Sequence, residues 1–321
     1  MVATASLAPA SNVRGDRRQM KSWHAILSAI GSAVALVAVG CGTWVYALGP
    51  APLGQDLDYS HVVLDRQGHL LRAYATKEGR WRLPAAPDEV DPLFLKMLFA
   101  YEDKRFYQHH GVDLLAMARA AFQLVTERHI VSGGSTLTMQ VARLLEPRLH
   151  RSFYAKLRQV TRAIELEKNL SKNRILSLYL ALAPYGGNLE GIRAASLAYF
   201  GKEPARLSVA EAALLVALPQ SPEARRSDRH PDAAQAARDR VLDRVAEEGA
   251  IPLDEIPLAK RKPVPHGRQE LPTLAPAIRW PAAEARRQPP KCVLSPYGPG
   301  FARLTVMDSR GASDTVTVRL Q

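Results

Sequence analysis

The sequence predicts a mainly α-helical domain behind a single N-terminal transmembrane helix, with a small β-hairpin before the helical body and a short β segment at the C-terminus. Three observations carry that reading. Residues 25–46 run for 22 positions without a charged side chain. Between about residues 90 and 248, apolar residues recur at i, i+3, i+4 and i+7. At 62–74 and 304–320, by contrast, the pattern alternates with the period of two expected of strands.

The apolar run is taken first. At about 1.5 Å per residue it spans a hydrocarbon core of roughly 30 Å. Trp23, Trp44 and Tyr46 sit at its ends, where amphipathic rings favour the interface. Arg14, Arg17, Arg18 and Lys21 precede it against a single Asp16, which places the N-terminus in the cytoplasm and the rest of the chain outside. A cleaved signal peptide is the rival, because Val45-Tyr46-Ala47 reads as a cleavage box, but signal h-regions run only about 7–15 residues. Val39-Gly40-Cys41 faintly matches a lipoprotein site without its leucine. The organisation is therefore a disordered basic tail (1–22), an anchor (23–47), a linker with a β-hairpin (48–88), a helical domain (89–250), a Pro-rich linker (251–300) and terminal strands (301–321).

Composition narrows the partners. The 321 residues are 47% hydrophobic, which argues against general disorder, and carry a net charge of +12 with a pI near 9.9. That balance suits a partner rich in phosphate or carboxylate and does not choose among nucleic acid, anionic lipid heads and a polyanionic substrate. Cys41 lies inside the anchor and Cys292 near the end, so neither a disulfide framework nor thiol catalysis is expected.

Pro50, Pro52, Gly49 and Gly54 mark the linker, and Gln67-Gly68 the turn of the hairpin. Helical segments are expected near 91–103, 113–127, 135–145, 152–170, 172–183, 189–199, 208–218 and 231–248. Ser208 with Glu211 three residues on forms a capping box, and Leu218-Pro219-Gln220-Ser221-Pro222 stops that helix. After Ala250 the Pro-rich, basic text lacks any sustained period and reads as linker; two terminal strands alone are marginal in water.

Two stretches carry chemistry. The first, from Tyr101 to Asp113, holds Glu102, Asp103, Phe106, His109 and Gly111. Adjacent carboxylates on a helix point about 100° apart, so one of Glu102 and Asp103 can work as a base while the other makes a structural bond. The second, Gly133-Gly134-Ser135-Thr136-Leu137-Thr138-Met139-Gln140, is a flexible loop feeding a helix start, where free N–H groups suit a phosphate. Arg143, Arg148, Arg151, Lys156 and Arg158 follow, either as phosphate donors or as a solvated basic face.

Together these stretches resemble the glycosyltransferase family 51 module of class A penicillin-binding proteins and monofunctional peptidoglycan glycosyltransferases, over about residues 62–245. Lys172-Asn173-Arg174-Ile175-Leu176-Ser177-Leu178-Tyr179-Leu180 is similar to the fourth motif of that family, and the run from Gly187 to Lys202 to its fifth. Asp65-Arg66-x-Gly68, Gly79-Arg80-Trp81-Arg82-Leu83-Pro84 and Met139-Gln140 most resemble its penicillin-binding protein 1C branch. The resemblance implies a lysozyme-like helical fold with a membrane-dipping jaw near 114–132, in the bacterial inner membrane. It implies that lipid II and a growing glycan chain bind in adjacent subsites, with other cell-wall synthesis proteins as partners and no nucleic acid. Glu102 would be the base for the acceptor 4-hydroxyl. Asp103, Phe106, His109, Gly134, Ser135, Thr136, Gln140, Arg143, Arg151, Lys156 and Gln159 would bind substrate, the arginines facing the pyrophosphate. No cofactor is required by the pattern; a divalent cation, Mg or Mn, would at most assist the pyrophosphate, and no metal-ligand spacing occurs.

Two departures stand out. The family's third motif, Arg-Lys-x-x-Glu, lands on Ala155-Lys156-Leu157-Arg158-Gln159, so the second carboxylate is an amide that cannot titrate. Glu167 lies about 12 Å further along the same helix, and Glu165 faces elsewhere. Gln159 is expected to help polarise the pyrophosphate end. Ser177 and Ala181 also replace the usual glutamate and asparagine of the fourth motif. The Ser-x-x-Lys and Lys-Thr-Gly boxes of a transpeptidase do not occur in the sequence, which leads to the expectation of an internal deletion, no transpeptidase activity and no β-lactam binding. A catalytically weak, lipid II-binding scaffold is the alternative, and a muramidase-like hydrolase a third reading.

Overall fold

Helix α1 (Val13–Leu48) begins before the apolar run: part of the basic tail, expected to be disordered, is helical. Once an anchor helix is nucleated, each added residue gains a hydrogen bond at little cost, and residues 13–22 contain no proline to stop it. Its segment Leu27–Leu48 is long and apolar enough to cross a membrane. Thr43, polar within that segment, donates its hydroxyl back to the carbonyls of Val39 and Gly40 (2.9 Å each), so its polar group is satisfied inside the helix. The computed structural model describes residues 13–65, 69–127, 134–146, 152–273, 291–296, 301–307 and 313–319. Residues 1–51 and 52–321 form two separate units.

In the second unit, β1 (Val62–Asp65) and β2 (Leu70–Ala73) pair antiparallel as the hairpin expected at 62–74; the Gln67-Gly68 turn lies outside the described residues. β3 (Trp81–Arg82) pairs in parallel with β4 (Leu189–Glu190), and Glu190 receives both Arg80 and Arg82, the latter through Nε at 2.7 Å. That join anchors the β unit to the helical body.

The expected helical segments are all present: α2 (Pro92–Glu102), α3 (Leu114–Glu127), α4 (Leu137–Leu145), α5 (Phe153–Asn169), α6 (Lys172–Leu182), α7 (Ile192–Phe200), α8 (Val209–Ala217) and α9 (Pro231–Glu247). Side-chain caps fix several of their starts. Asp91 accepts from the Leu93 N–H (2.9 Å), with Pro92 at the first helical position. Glu211 closes the capping box on the Ser208 N–H (2.7 Å). The one displaced start is α7: residues 189–190 pair as β4, and Gly191 turns the chain at φ +82° with the Ala181 carbonyl too near (2.7 Å) for a side chain.

Apart from Glu211 in its first turn, helix α8 is apolar and buried along most of its length, packed by α2, α7 and α9. It forms the centre of the core, and α2 contributes Phe94, Met97 and Leu98. Elsewhere α3 exposes Leu114, Leu115 and Phe122, and the start of α5 exposes Phe153 and Tyr154.

The segment read as a Pro-rich linker is ordered for much of its length. Residues 255–261 form α10 (Glu255–Arg261) against α8 and α9. Arg238, buried on α9, donates to the carbonyls of Lys260 (3.0 Å) and Lys262. Beyond α10, Val264 and Leu271 are buried, the Gln269 N–H donates to the Ala198 carbonyl (2.7 Å), and Arg72 donates to the Thr273 carbonyl (3.3 Å). Prolines removed the periodicity that would have shown this, but specific backbone contacts replace it. The terminal strands also differ from an isolated pair. β5 (Lys291–Pro296), β6 (Phe301–Met307) and β7 (Ser313–Arg319) join the hairpin in one five-stranded sheet, ordered β2-β1-β5-β6-β7, with β5 parallel to β1.

Candidate active site

Helix α2 ends on Glu102, and Asp103 leaves the helix at φ −158°. The two carboxylates diverge. Asp103 turns inward: one oxygen accepts from His109 Nε2 (2.9 Å) and from the Leu137 N–H at the start of α4 (2.9 Å). Thr136 caps that same helix, accepting from the Met139 N–H (3.1 Å) and donating to the Gly111 carbonyl (2.6 Å). Gly111 itself sits at φ +90°, where an added Cβ would lie 2.6 Å from the Ala163 carbonyl oxygen. The turn after His109 therefore fits against α5 only as glycine.

Glu102 turns to a cleft of about 370 Å³, whose lining includes Tyr101, Arg105, Asp113, Arg119, Gly134, Ser135, Thr136, Gln220 and Arg244. Gln140 donates to one Glu102 oxygen (2.9 Å) and Gln220 to the other (2.8 Å). Burial pushes the Glu102 carboxyl above its ordinary pKa; the Gln220 and Gln140 bonds and the charges of Arg244 and Arg225 pull the other way without cancelling it. A carboxylate with a raised pKa and no cation in direct contact can accept a proton from a neighbouring hydroxyl.

Supports surround it. Lys172 donates to Glu167 (2.6 Å) and to the His109 carbonyl (2.7 Å), and lies 4.6 Å over the Phe106 ring. Thr138 donates to the same Glu167 oxygen (2.6 Å). Glu167, too far along α5 to stand in for a second working carboxylate, thus ties α4, α5, α6 and the His109 turn together. Arg105 pairs with Asp113, which also accepts from the Ala116 N–H (2.8 Å).

The residues carried as substrate contacts divide accordingly. Gly134, Ser135 and Thr136 line the cleft beside Glu102. Phe106 and His109 are buried behind it and do not line it, and Asp103 borders it with its carboxylate already committed. These three brace the site, because an apolar ring and a buried His–Asp pair serve a turn better than a sugar. Gln140 reaches Glu102, and Arg143 lies one turn further on α4, exposed and, among the described residues, without an ion-pair partner. Lys156 is exposed on α5; partial burial and the Arg143 charge lower its pKa. Arg151 and Arg148 lie outside the described residues. Arg158 is spent on Glu146 (2.7 Å) and so is no phosphate donor.

Gln159 also differs from its expected role. Its Nε2 donates to the Met139 carbonyl (2.6 Å) and its Oε1 accepts from Lys156 (3.3 Å), so it clamps α5 to the backbone of α4. The residues that sequence reasoning missed are Gln220, Arg225, Arg119 and Arg244. Gln220 had been read only as part of a helix stop, and its position between two prolines was the one available signal. Among the described residues no group of three or more His, Cys, Asp or Glu is placed to hold a metal.

An amide-held, desolvated carboxylate at an open cleft of a helical body is an arrangement that acid/base chemistry can use. More particularly, residues 67–246 match the pattern of the Transglycosylase family, and the chain belongs to that family. It is 46% identical over 229 residues to penicillin-binding protein 1C of Escherichia coli, covering 71% of this chain and 30% of that protein. It is 34% identical over 199 residues to penicillin-binding protein 1F of Bacillus subtilis, covering 62% and 28%. The chain thus spans under a third of the length of these relatives. A crystal structure of penicillin-binding protein 1A from Haemophilus influenzae aligns over 81% of this chain and 39% of that one, at 13% identity and a TM-score of 0.38.

Proposed function

We propose that the protein is a membrane-anchored peptidoglycan glycosyltransferase that polymerises lipid II into glycan strands and releases undecaprenyl pyrophosphate, without transpeptidase activity. The observation that carries this reading is the Glu102 carboxylate, desolvated and held by two neutral amides in a cleft of a transglycosylase-family chain. Glu102 takes the proton from the 4-hydroxyl of the acceptor sugar. That oxygen attacks the anomeric carbon of the donor with inversion, and the C1–O bond to the lipid pyrophosphate breaks. The transition state gathers positive charge on the sugar and negative charge on the leaving group. Arg143 and Lys156, exposed beyond Gln140, meet the pyrophosphate, with Arg151 as a further donor. Leu114, Leu115 and Phe122 on α3 enter the membrane face, and Arg14, Arg17, Arg18 and Lys21, at the start of α1 ahead of its apolar run, keep the N-terminus on the cytoplasmic side of the inner membrane.

The test is polymerisation of labelled lipid II by the full chain in detergent or liposomes. Polymer is expected from the parent and not from Glu102→Gln, which keeps the shape and loses the base. Polymer of unchanged yield from Glu102→Gln refutes the assignment. Binding without polymer by the parent would favour the scaffold reading, and degradation of preformed glycan the hydrolase.

A further inference from the structure

We propose that Gln220 and Arg225 are a positioning pair for Glu102, in which Arg225 fixes the end of the Gln220 amide that the carboxylate meets. The proposal rests on reading Glu102 as the base. The contacts form a chain. Arg225 Nη1 donates to the carbonyl of Ala217, the last residue of α8 (2.7 Å), and to Gln220 Oε1 (3.1 Å). Gln220 Nε2 then donates to Glu102 Oε1 (2.8 Å).

An amide has two donors at one end and an acceptor at the other, and a guanidinium has donors only. With Arg225 anchored on α8, the oxygen of Gln220 must face Arg225, so its NH2 group faces Glu102. The reverse orientation would set a carbonyl oxygen against a carboxylate. The local backbone holds this arrangement in place: Pro219 and Pro222 flank Gln220, residues 218–220 form a short 3-10 turn, and the Arg225 N–H donates to the Ser221 carbonyl (3.0 Å).

An amide between the two charges also has a chemical consequence. A guanidinium in direct contact would pair with the carboxylate and weaken it as a base. The interposed amide passes on orientation and leaves the charge on Glu102 available. Gln140 repeats the device on the second oxygen from α4. The other charged and titratable groups around Glu102 are otherwise engaged or more remote. Arg244 of α9 lies over the Tyr101 ring (5.5 Å), Lys104 pairs with Glu248, Arg105 with Asp113, and Asp103 with His109. Arg119 of α3 lines the cleft, and the buried Tyr179 of α6 feels the charges of both Glu102 and Arg143.

The decisive measurement is the pH dependence of kcat and KM for lipid II polymerisation by the full chain. The variants are Gln220→Met, Arg225→Met, Arg225→Lys and the Gln220→Met/Arg225→Met double, with Glu102→Gln as control. Gln220→Met is expected to lower kcat, leave KM within about twofold, and cut the ratio of activity at about pH 6 to that at about pH 8 roughly threefold, the worth of one exposed charge-assisted bond. Arg225→Met should reproduce that profile, Arg225→Lys should restore most of it, and the double variant should lose little more than either single. Because Gln220 is exposed, thermal melting should stay near that of the parent. Acid limbs that superimpose on the parent's in both single variants overturn the pair, as does an additive double variant. Activity in Glu102→Gln equal to the parent's overturns instead the reading of the base; a Glu102→Gln that makes little or no polymer beside unshifted limbs refutes the pair alone.

Discussion

Gln159→Glu restores the carboxylate that the wider family carries at this position, and the structure predicts that it weakens the fold. The Gln159 Nε2 donates to the Met139 carbonyl at 2.6 Å. An ionised carboxylate there sets oxygen against oxygen, losing a half-buried hydrogen bond and leaving a backbone acceptor unmet, at a cost of about 1–3 kcal/mol. Lys156, 3.3 Å from Oε1 and exposed, returns about 0–1 kcal/mol by pairing with the new charge. The net loss, centred on about 1.5 kcal/mol, lowers the melting temperature by roughly 3–6 °C for a domain of this size. The loss also depends on pH in a defined direction. A protonated carboxyl can donate to Met139, so the folded state raises the pKa of the introduced group above its unfolded value. The penalty is then smallest at low pH and grows as pH rises through the raised pKa. Melting of the full chain followed by circular dichroism at about pH 5 and pH 8 measures both effects. A variant as stable as the parent at the higher pH, with no difference between the two, refutes the clamp.

Three further outcomes follow from the site. Gly111→Ala forces a Cβ to within 2.6 Å of the Ala163 carbonyl at φ +90°, and should cost about 2–4 kcal/mol in a urea titration; a neutral result removes the close fit of the turn. Lys172→Met leaves Glu167 buried without its cation and should cost about 3 kcal/mol, much of it recovered in the Lys172→Met/Glu167→Met double variant. Equal losses in the single and double variants would argue against the pair. Because burial raises the Glu102 pKa and a base must be ionised, polymerising activity should fall, as pH drops, at a higher pH than for an ordinary carboxylate. An acid limb at the ordinary carboxylate position contradicts that environment.

The helices were legible because their apolar faces repeat within the element, and the capping box of Ser208 and Glu211 spans only three residues. The divergence of Glu102 and Asp103 was legible for the same reason: adjacent positions on a helix cannot share a direction. What escaped depends on distance along the chain. Gln220 meets Glu102 across most of the helical body, and nothing local in Leu218-Pro219-Gln220 announces it. The same holds for residues 262–273, whose prolines and charges conceal a path set by backbone bonds to Ala198 and Arg72. Gln159 failed in another way, since its spacing gave its place and only the structure gives its partner, the Met139 carbonyl.

The sheet order β2-β1-β5-β6-β7 bears on how the chain folds during synthesis. β1 leaves the ribosome early, but one of its edges is filled only when residues 291–296 arrive, with Val63 opposite Cys292. The contacts within the helical body between them are far more local and can form first. Until residues 291–296 have been made, an apolar strand edge stays open beside the helical body, the kind of edge that invites pairing with another chain. β5, made more than two hundred residues after β1, therefore acts as its intramolecular cover.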